Sequence, residues 1–130
     1  MIDTHVWIWW NTAPERIPKR ATEAIRDSAA DGRVSLSAIS VWETAKLVEK
    51  GRLRLASDIA SWVRAALDDP NLWLLPLTPE VSVESTRLPS PFHSDPADQI
   101  IAATARANAA TLLTSDRRLL DYPHVRTLWE

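Results

Sequence analysis

Five acidic side chains stand where a folded chain could bring them together: Asp3, Glu43, Asp95, Asp98 and Asp116. The most telling pair lies in Ser94-Asp95-Pro96-Ala97-Asp98, directly ahead of the apolar run Ile100-Ile101-Ala102-Ala103. Pro96 suits the first position of a helix because its missing N–H would have no partner there. Asp95 then falls at the N-cap and Asp98 at the third helical position. Capping alone would justify both, since orphan amides and the helix dipole favour carboxylates at a helix start. Asp3 and Asp116 follow segments that read as strand ends, and Glu43 follows Ser40 at the spacing of a capping box.

If Asp3, Glu43, Asp98 and Asp116 converge, two ionised carboxylates ~5 Å apart repel by about 3 kcal/mol at an effective dielectric of ~20. Such a cluster is unfavourable unless a cation fills it. Oxygen donors in a chain without cysteine select Mg2+, or Mn2+, over softer ions. A cation held this way activates water and stabilises the oxygens of a phosphodiester displacement. Thr4, Thr114 and Ser115 flank the acids and are placed to orient ligands or waters from behind them. His5, His93 and His124 are not needed as general bases, because a hydrated divalent cation yields hydroxide near neutral pH unaided.

The elements that must position these acids alternate. Met1 to Asp3 is the tail of a strand, and Thr4 is a candidate N-cap for a helix through Trp10. Pro18 opens a helix with Ala21, Ile25 and Ala29 at helical spacing, ending near Gly32. Val34 to Leu36 reads as a strand, and a helix capped by Ser37 or Ser40 runs to Gly51. A further helix, capped by Ser57 or Asp58, reaches Leu67. The continuous apolar run Leu72 to Leu75 suits a strand buried on both faces. Thr78-Pro79 starts a helix to about Leu88, Asp95 caps the next, and Thr111 to Thr114 is a strand. A one-turn helix through Leu120 and a strand near Val125 to Trp129 complete the chain. Strands alternating with helices predict a parallel sheet covered on both faces, with the site beyond the C-terminal ends of the strands. Asp3 and Asp116 follow strands directly, and Glu43 and Asp98 are expected in first helical turns, so all four acids face that edge.

The chain has 130 residues, enough for one domain with its own core, read as spanning 1–130. The absence of cysteine rules out a disulfide framework, a thiolate metal site and a cysteine nucleophile, and is compatible with a reducing cytoplasm. Val6 to Trp10 is too short for a signal sequence or a membrane span. With a net charge of −2 there is no global basic field. A polyanion must then be held by metal and by local cations: Lys46, Lys50, Arg52 and Arg54, with Arg117 and Arg118, of which Lys46, Arg52 and Arg117 are the leading candidates for contacts to its phosphates. Seven tryptophans are many for this length, and Trp7, Trp9 and Trp10 can fill core, line a groove or stack bases.

The chain resembles PIN domains, and more closely the VapC-type toxins of bacterial toxin-antitoxin pairs. The resemblance rests on an ordered set: Asp3-Thr4-His5-Val6-Trp7, Ser37-Ala38-Ile39-Ser40-Val41-Trp42-Glu43, Leu75-Pro76-Leu77-Thr78, Asp95-Pro96-Ala97-Asp98 with Ile101-Ala102-Ala103-Thr104-Ala105 behind it, and Ala110-Thr111-Leu112-Leu113-Thr114-Ser115-Asp116. It implies a three-layer α/β/α fold around a five-stranded parallel sheet of order 3-2-1-4-5. It also implies a homodimer and a Mg2+-dependent endoribonuclease inhibited by a small VapB-type antitoxin, with DNA reached only through that antitoxin. Carried over by position, Asp3, Glu43, Asp98 and Asp116 are the acidic quartet, Asp3 and Asp98 the principal metal ligands, and Asp95 a cap. The chain departs from the pattern at two places. Only Met1 and Ile2 precede Asp3, so either the first strand is expected to be stunted or the true start to lie upstream, and Gln99 stands where many relatives carry arginine.

Two other functions compete. One is a catalytically silent module of the same fold that acts by holding an antitoxin and co-repressing DNA through it. The other is a phosphoacceptor receiver domain, which shares the sheet and a Mg2+ site. It is excluded because the strand from Leu72 ends in Thr78 with no acceptor aspartate, and no lysine follows the last strand.

Overall fold

A computed structural model describes residues 1–130. Helix α1 spans Thr4–Thr12, followed by a 3-10 turn at Pro14–Arg16, α2 at Lys19–Ala30, strand β1 at Val34–Ser37, α3 at Ile39–Glu49 and α4 at Ile59–Leu67. The second half contains β2 at Leu72–Leu75, α5 at Pro79–Ser85, α6 at Pro96–Ala107, β3 at Leu112–Leu113, α7 at Arg117–Leu120 and β4 at Thr127–Leu128. Every strand pairing is parallel: β1 with β2 from Val34↔Leu72 to Ser37↔Leu75, and β3 with β4 from Leu112↔Thr127 to Leu113↔Leu128.

The expected single five-stranded sheet is observed as two two-stranded sheets joined at Ile2, which forms isolated parallel bridges to Leu36 and to Leu113. Its amide donates to the Ser35 carbonyl at 2.9 Å, the Asp3 amide donates to Leu113, and the Leu113 amide returns to Met1. The chain leaves the extended conformation at Asp3 to enter α1, so one residue per side is all that this segment contributes to a ladder. The two apolar clusters meet around it. One contains Ile2, Val6, Trp7, Ile25, Val34 and Leu36, and the other Ile101, Ala102, Leu112, Leu119 and Tyr122.

Other local expectations shift for identifiable reasons. Strand β2 is not buried on both faces, because β1 is the only element packed closely against it and no helix covers it to the same extent; Trp73 is 61% and Leu74 46% exposed. Helix α5 stops at Ser85 rather than near Leu88. The hydroxyls of Ser82, Ser85 and Thr86 bond back to the carbonyls of Thr78, Ser82 and Val83, which competes with helix continuation. Asp3, not Thr4, caps α1, its carboxylate accepting from the Thr4 amide at 2.7 Å. Neither Ser37 nor Ser40 is the N-cap of α3: that position is Ala38, and Ser40 is a fully buried helical residue. Glu43 therefore lies beyond the first turn of α3, and no Ser40–Glu43 capping box forms. No helix is long and apolar enough to cross a membrane.

Candidate functional site

Asp3, Asp95 and Asp116 are each the N-cap of a helix, so three helix starts are anchored by carboxylates around one edge of the sheet. Asp95 Oδ1 accepts from the Asp98 amide at 3.1 Å, which holds the first turn of α6 and sets the side chain of Asp98 at its third position. Asp116 accepts from the Arg118 amide at 2.9 Å in the same manner.

A continuous series of hydrogen bonds runs through the four acids of the predicted quartet. The Thr4 hydroxyl lies 2.6 Å from Glu43 Oε1 and 2.8 Å from the Ser40 hydroxyl. Asp3 accepts from the Thr4 amide through Oδ1 and from the buried Thr114 hydroxyl through Oδ2, the latter at 2.6 Å. Thr114 Oγ1 in turn accepts from the Asp116 amide at 3.0 Å. Arg118 closes the series, its guanidinium 3.0 Å from Asp116 Oδ2 and 3.4 Å from Asp98 Oδ2. His93 Nε2 lies 2.6 Å from that same Asp98 oxygen, its ring stacked on Phe92.

Thr4 and Thr114 thus stand directly behind the acids. Ser115 does not bond to them: it is exposed and lines a separate polar cleft of about 560 Å3 with Arg20, Arg117 and Trp129. Lys46 and Arg52 lie on the other flank, in a cleft that includes Glu43. The cation that reaches the acids is Arg118, not Arg117, a distinction invisible in the sequence Asp116-Arg117-Arg118. His93 is brought in by a loop, and its five-residue separation from Asp98 is the only sequence signal that pointed there.

Burial is the main electrostatic force on three of the acids. It pushes Asp3 above the usual carboxylate range, against the bonds from Thr114 and Thr4 and with some help from the charge of Asp116. It raises Glu43 to about 7, opposed by the Thr4 bond and reinforced by the charges of Asp3, Asp98 and Asp95. Asp98 is also raised, first by burial, against its bond with His93, and further by Asp95, Asp3 and Asp116. For Asp116, burial acts upward, but the bonds and charge of Arg118 outweigh it and the carboxyl ends below its ordinary value.

These mutual charge effects mark the four carboxylates as electrostatic neighbours. As the side chains stand, no three of them are close enough to hold a metal ion together. Their oxygens are engaged by Thr4, Thr114, His93 and Arg118 instead. The donor set nonetheless fits a hard divalent cation: oxygen ligands, hydroxyls behind them, and carboxylates that destabilise one another's ionised form. Arg118 already meets part of that demand for positive charge, and a metal bound by both Asp98 and Asp116 would displace it.

The tryptophans separate by role. Trp7 is core, edge-on to Trp62 at 5.1 Å. Trp9 lies under the Arg16 guanidinium, 4.5 Å from its ring centroid, and Trp10 packs at the margin of the core. Trp42, adjacent to Glu43, is 52% exposed.

A PIN domain family model matches residues 1–125. Ribonuclease VapC22 of Mycobacterium tuberculosis (strain ATCC 25618 / H37Rv) is 36% identical over 131 residues, covering 99% of this chain and 97% of that protein. Among solved structures, VapBC2 from Rickettsia felis bound to a DNA fragment from their promoter aligns with a TM-score of 0.73 at 18% identity, covering 100% of this chain and 98% of the other. DNA-bound VapBC from Salmonella typhimurium aligns with a TM-score of 0.67 at 20% identity, covering 98% and 95%. A toxin-antitoxin complex from Klebsiella pneumoniae aligns with a TM-score of 0.65 at 19% identity, covering 99% and 97%. At these identities the structural matches show a shared α/β fold.

Proposed function

The chain belongs to the PIN-domain family, and from that premise we propose that it is the toxin of a type II toxin-antitoxin pair, an endoribonuclease that hydrolyses RNA phosphodiesters at a site built on Asp3, Glu43, Asp98 and Asp116. The observation that carries this reading is the unbroken hydrogen-bond series joining the four acids, three of them pushed upward in pKa by burial. The similarity to Ribonuclease VapC22 supports the choice of RNA as substrate.

Asp3 and Asp98, the two most buried acids, would be the principal ligands for Mg2+ or Mn2+, with Asp116 and Glu43 completing the set. Bound there, the cation supplies Lewis acidity to the phosphodiester and lowers the pKa of the attacking water. The remaining work belongs to the chain. Thr4 and Thr114 fix the rotamers of Glu43 and Asp3, and the cap of Asp95 fixes the start of α6 beneath Asp98. His93 restrains one Asp98 oxygen, and Arg118 balances charge between Asp98 and Asp116.

The two ladders and the Ile2 bridges act as one five-segment sheet in the order 3-2-1-4-5, within a single domain of residues 1–130. A VapB-type antitoxin inhibits the site and provides the link to DNA, in keeping with the toxin-antitoxin complexes of matching fold. The exposed Trp73, Leu74 and Leu77 supply apolar surface for a homodimer, and the setting is the cytoplasm, where RNA is accessible.

The test is cleavage of a total-RNA and tRNA panel in Mg2+, Mn2+ or EDTA by the antitoxin-free protein and by Asp98→Asn. Asn preserves size and leaves the N-cap intact but removes the charge. Cleavage is expected to vanish in EDTA and to fall below roughly 1% in the variant, since losing a ligand exceeds the 10–100-fold cost of losing a group behind one. Undiminished cleavage by Asp98→Asn would sink the proposal. The carboxylates do not stand as a formed coordination shell, and this favours one alternative, the silent antitoxin-binding module. Calorimetry that finds no binding of Mg2+ or Mn2+ would support that alternative.

A further inference from the structure

A cleft of about 350 Å3 adjoins the acids, lined by Trp42, Glu43, Lys46, Lys50, Arg52 and Asp95 together with Leu47, Pro96 and Ala97. Glu43 belongs both to this cleft and to the hydrogen-bond series of the acidic site, so the two are continuous. Three further observations bear on what the cleft takes. Trp42 is 52% exposed, while Trp7 is 1% exposed in the core. Lys46 Nζ lies 5.9 Å from the Trp42 ring centroid and is otherwise held only by an exposed pair with Glu49, an interaction that exchanges readily for a better anion. Lys50 and Arg52 are exposed and form no ion pair.

Three cations around one open indole do not resemble the centre of a protein interface, which is depleted of lysine and acidic residues. They match a single-stranded nucleic acid, whose unstacked bases seek an aromatic face while its phosphates seek lysine and arginine. The volume lies at the small end of ligand pockets and suits one nucleotide rather than a duplex. Resting on the ribonuclease reading, we propose that this cleft is a nucleotide subsite for single-stranded RNA. Trp42 stacks the base of a nucleotide flanking the scissile phosphate, and Lys46, Lys50 and Arg52 neutralise the adjoining phosphates.

The probe is a fluorescein-labelled, mixed-sequence single-stranded 12-mer RNA, bound in EDTA to the Asp98→Asn protein and followed by anisotropy across a salt series. Adding Trp42→Ala is expected to weaken binding roughly tenfold, and Trp42→Phe, which keeps a stacking face, by no more than about threefold. Replacing both Lys50 and Arg52 by alanine should flatten the slope of log K against log salt by about 1.4, from ~0.7 per phosphate contact. Thermal melts matched to the parent exclude misfolding, because Trp42 is largely outside the core. If the parent binds the 12-mer and both Trp42 variants bind it equally well, the subsite is wrong while the ribonuclease reading stands. If Trp42→Ala loses only binding of a VapB-type antitoxin, the cleft is a protein-docking site and the proposal falls. Should the parent bind no RNA and the wild type cleave none, both readings fall together.

Discussion

Glu43 is the acid whose protonation is most exposed to experiment, since it is lifted from 4.5 to about 7, mainly by burial. The folded chain binds this proton more tightly than the unfolded chain does. The resulting stabilisation is complete below about pH 4.5 and is lost as pH rises towards 7. Asp3 and Asp98 are raised as well and push in the same direction. Asp116 is lowered, so its contribution is present above its ordinary value and is lost only in acid, outside this window. Glu43→Gln keeps an oxygen to accept from Thr4 but has no proton to lose. In EDTA its melting temperature is expected to match that of the wild type near pH 4.5 and to exceed it at pH 8. Adding Mg2+ should stabilise the wild type more at pH 8 than at pH 5 and the variant less at both. Parallel pH profiles for the two proteins would show that Glu43 does not titrate in the folded state.

Helix α7 is a single turn, yet it delivers both Asp116 and the guanidinium that bridges Asp116 to Asp98. Arg118 is 57% exposed in its side chain, so its pairing with the acids is weak, on the scale of ~0.2–1 kcal/mol for surface pairs. Arg118→Met should therefore tighten Mn2+ binding measured by calorimetry, by about two- to fivefold. Weaker binding would mean that Arg118 holds the carboxylates in place rather than competing for them. This element also shows where the sequence stops being legible. Asp116-Arg117-Arg118 announces a cap and two cations, but which arginine turns inward depends on the position of α6, which no local pattern encodes. The same limit separates Thr78 and Asp95, whose capping roles follow from their own neighbours, from the starts of α1 and α3. Both starts offer more than one residue of capping type, Asp3 and Thr4 for α1 and Ser37 and Ser40 for α3. The bonds from Thr4 to Ser40 and Glu43, which tie the two helices together across separations of 36 and 39 residues, belong to no local pattern. The acidic quartet could be named from types and order, whereas His93 and Arg118 required the folded backbone.

At the scale of the molecule, alternation of strands and helices foretold parallel pairing, because parallel strands need crossovers of the length that these helices provide. Alternation did not reveal how little chain holds the two ladders together. Ile2, 2% exposed, packs with Val6, Trp7 and Leu36 on one side and bridges to Leu113 on the other. The two ladders and the acids above them share this residue, since Asp3 follows it directly and its amide bonds to Leu113. Ile2→Ala removes buried side-chain volume where the surrounding strands cannot close in without breaking a bridge, and should cost about 2–5 kcal/mol, against about 0.5–1.5 for Ile2→Val. Hydrogen exchange distinguishes a shared sheet from two adjoining ones. In a single cooperative sheet, Ile2→Ala accelerates exchange at the ladder amides of Val34–Ser37 and of Leu112–Leu113 by the same factor, because both open only with the whole. Acceleration confined to one ladder would make the other an independent unit. The acidic site would then straddle two separately opening parts of the fold, with Asp3 at the seam between them.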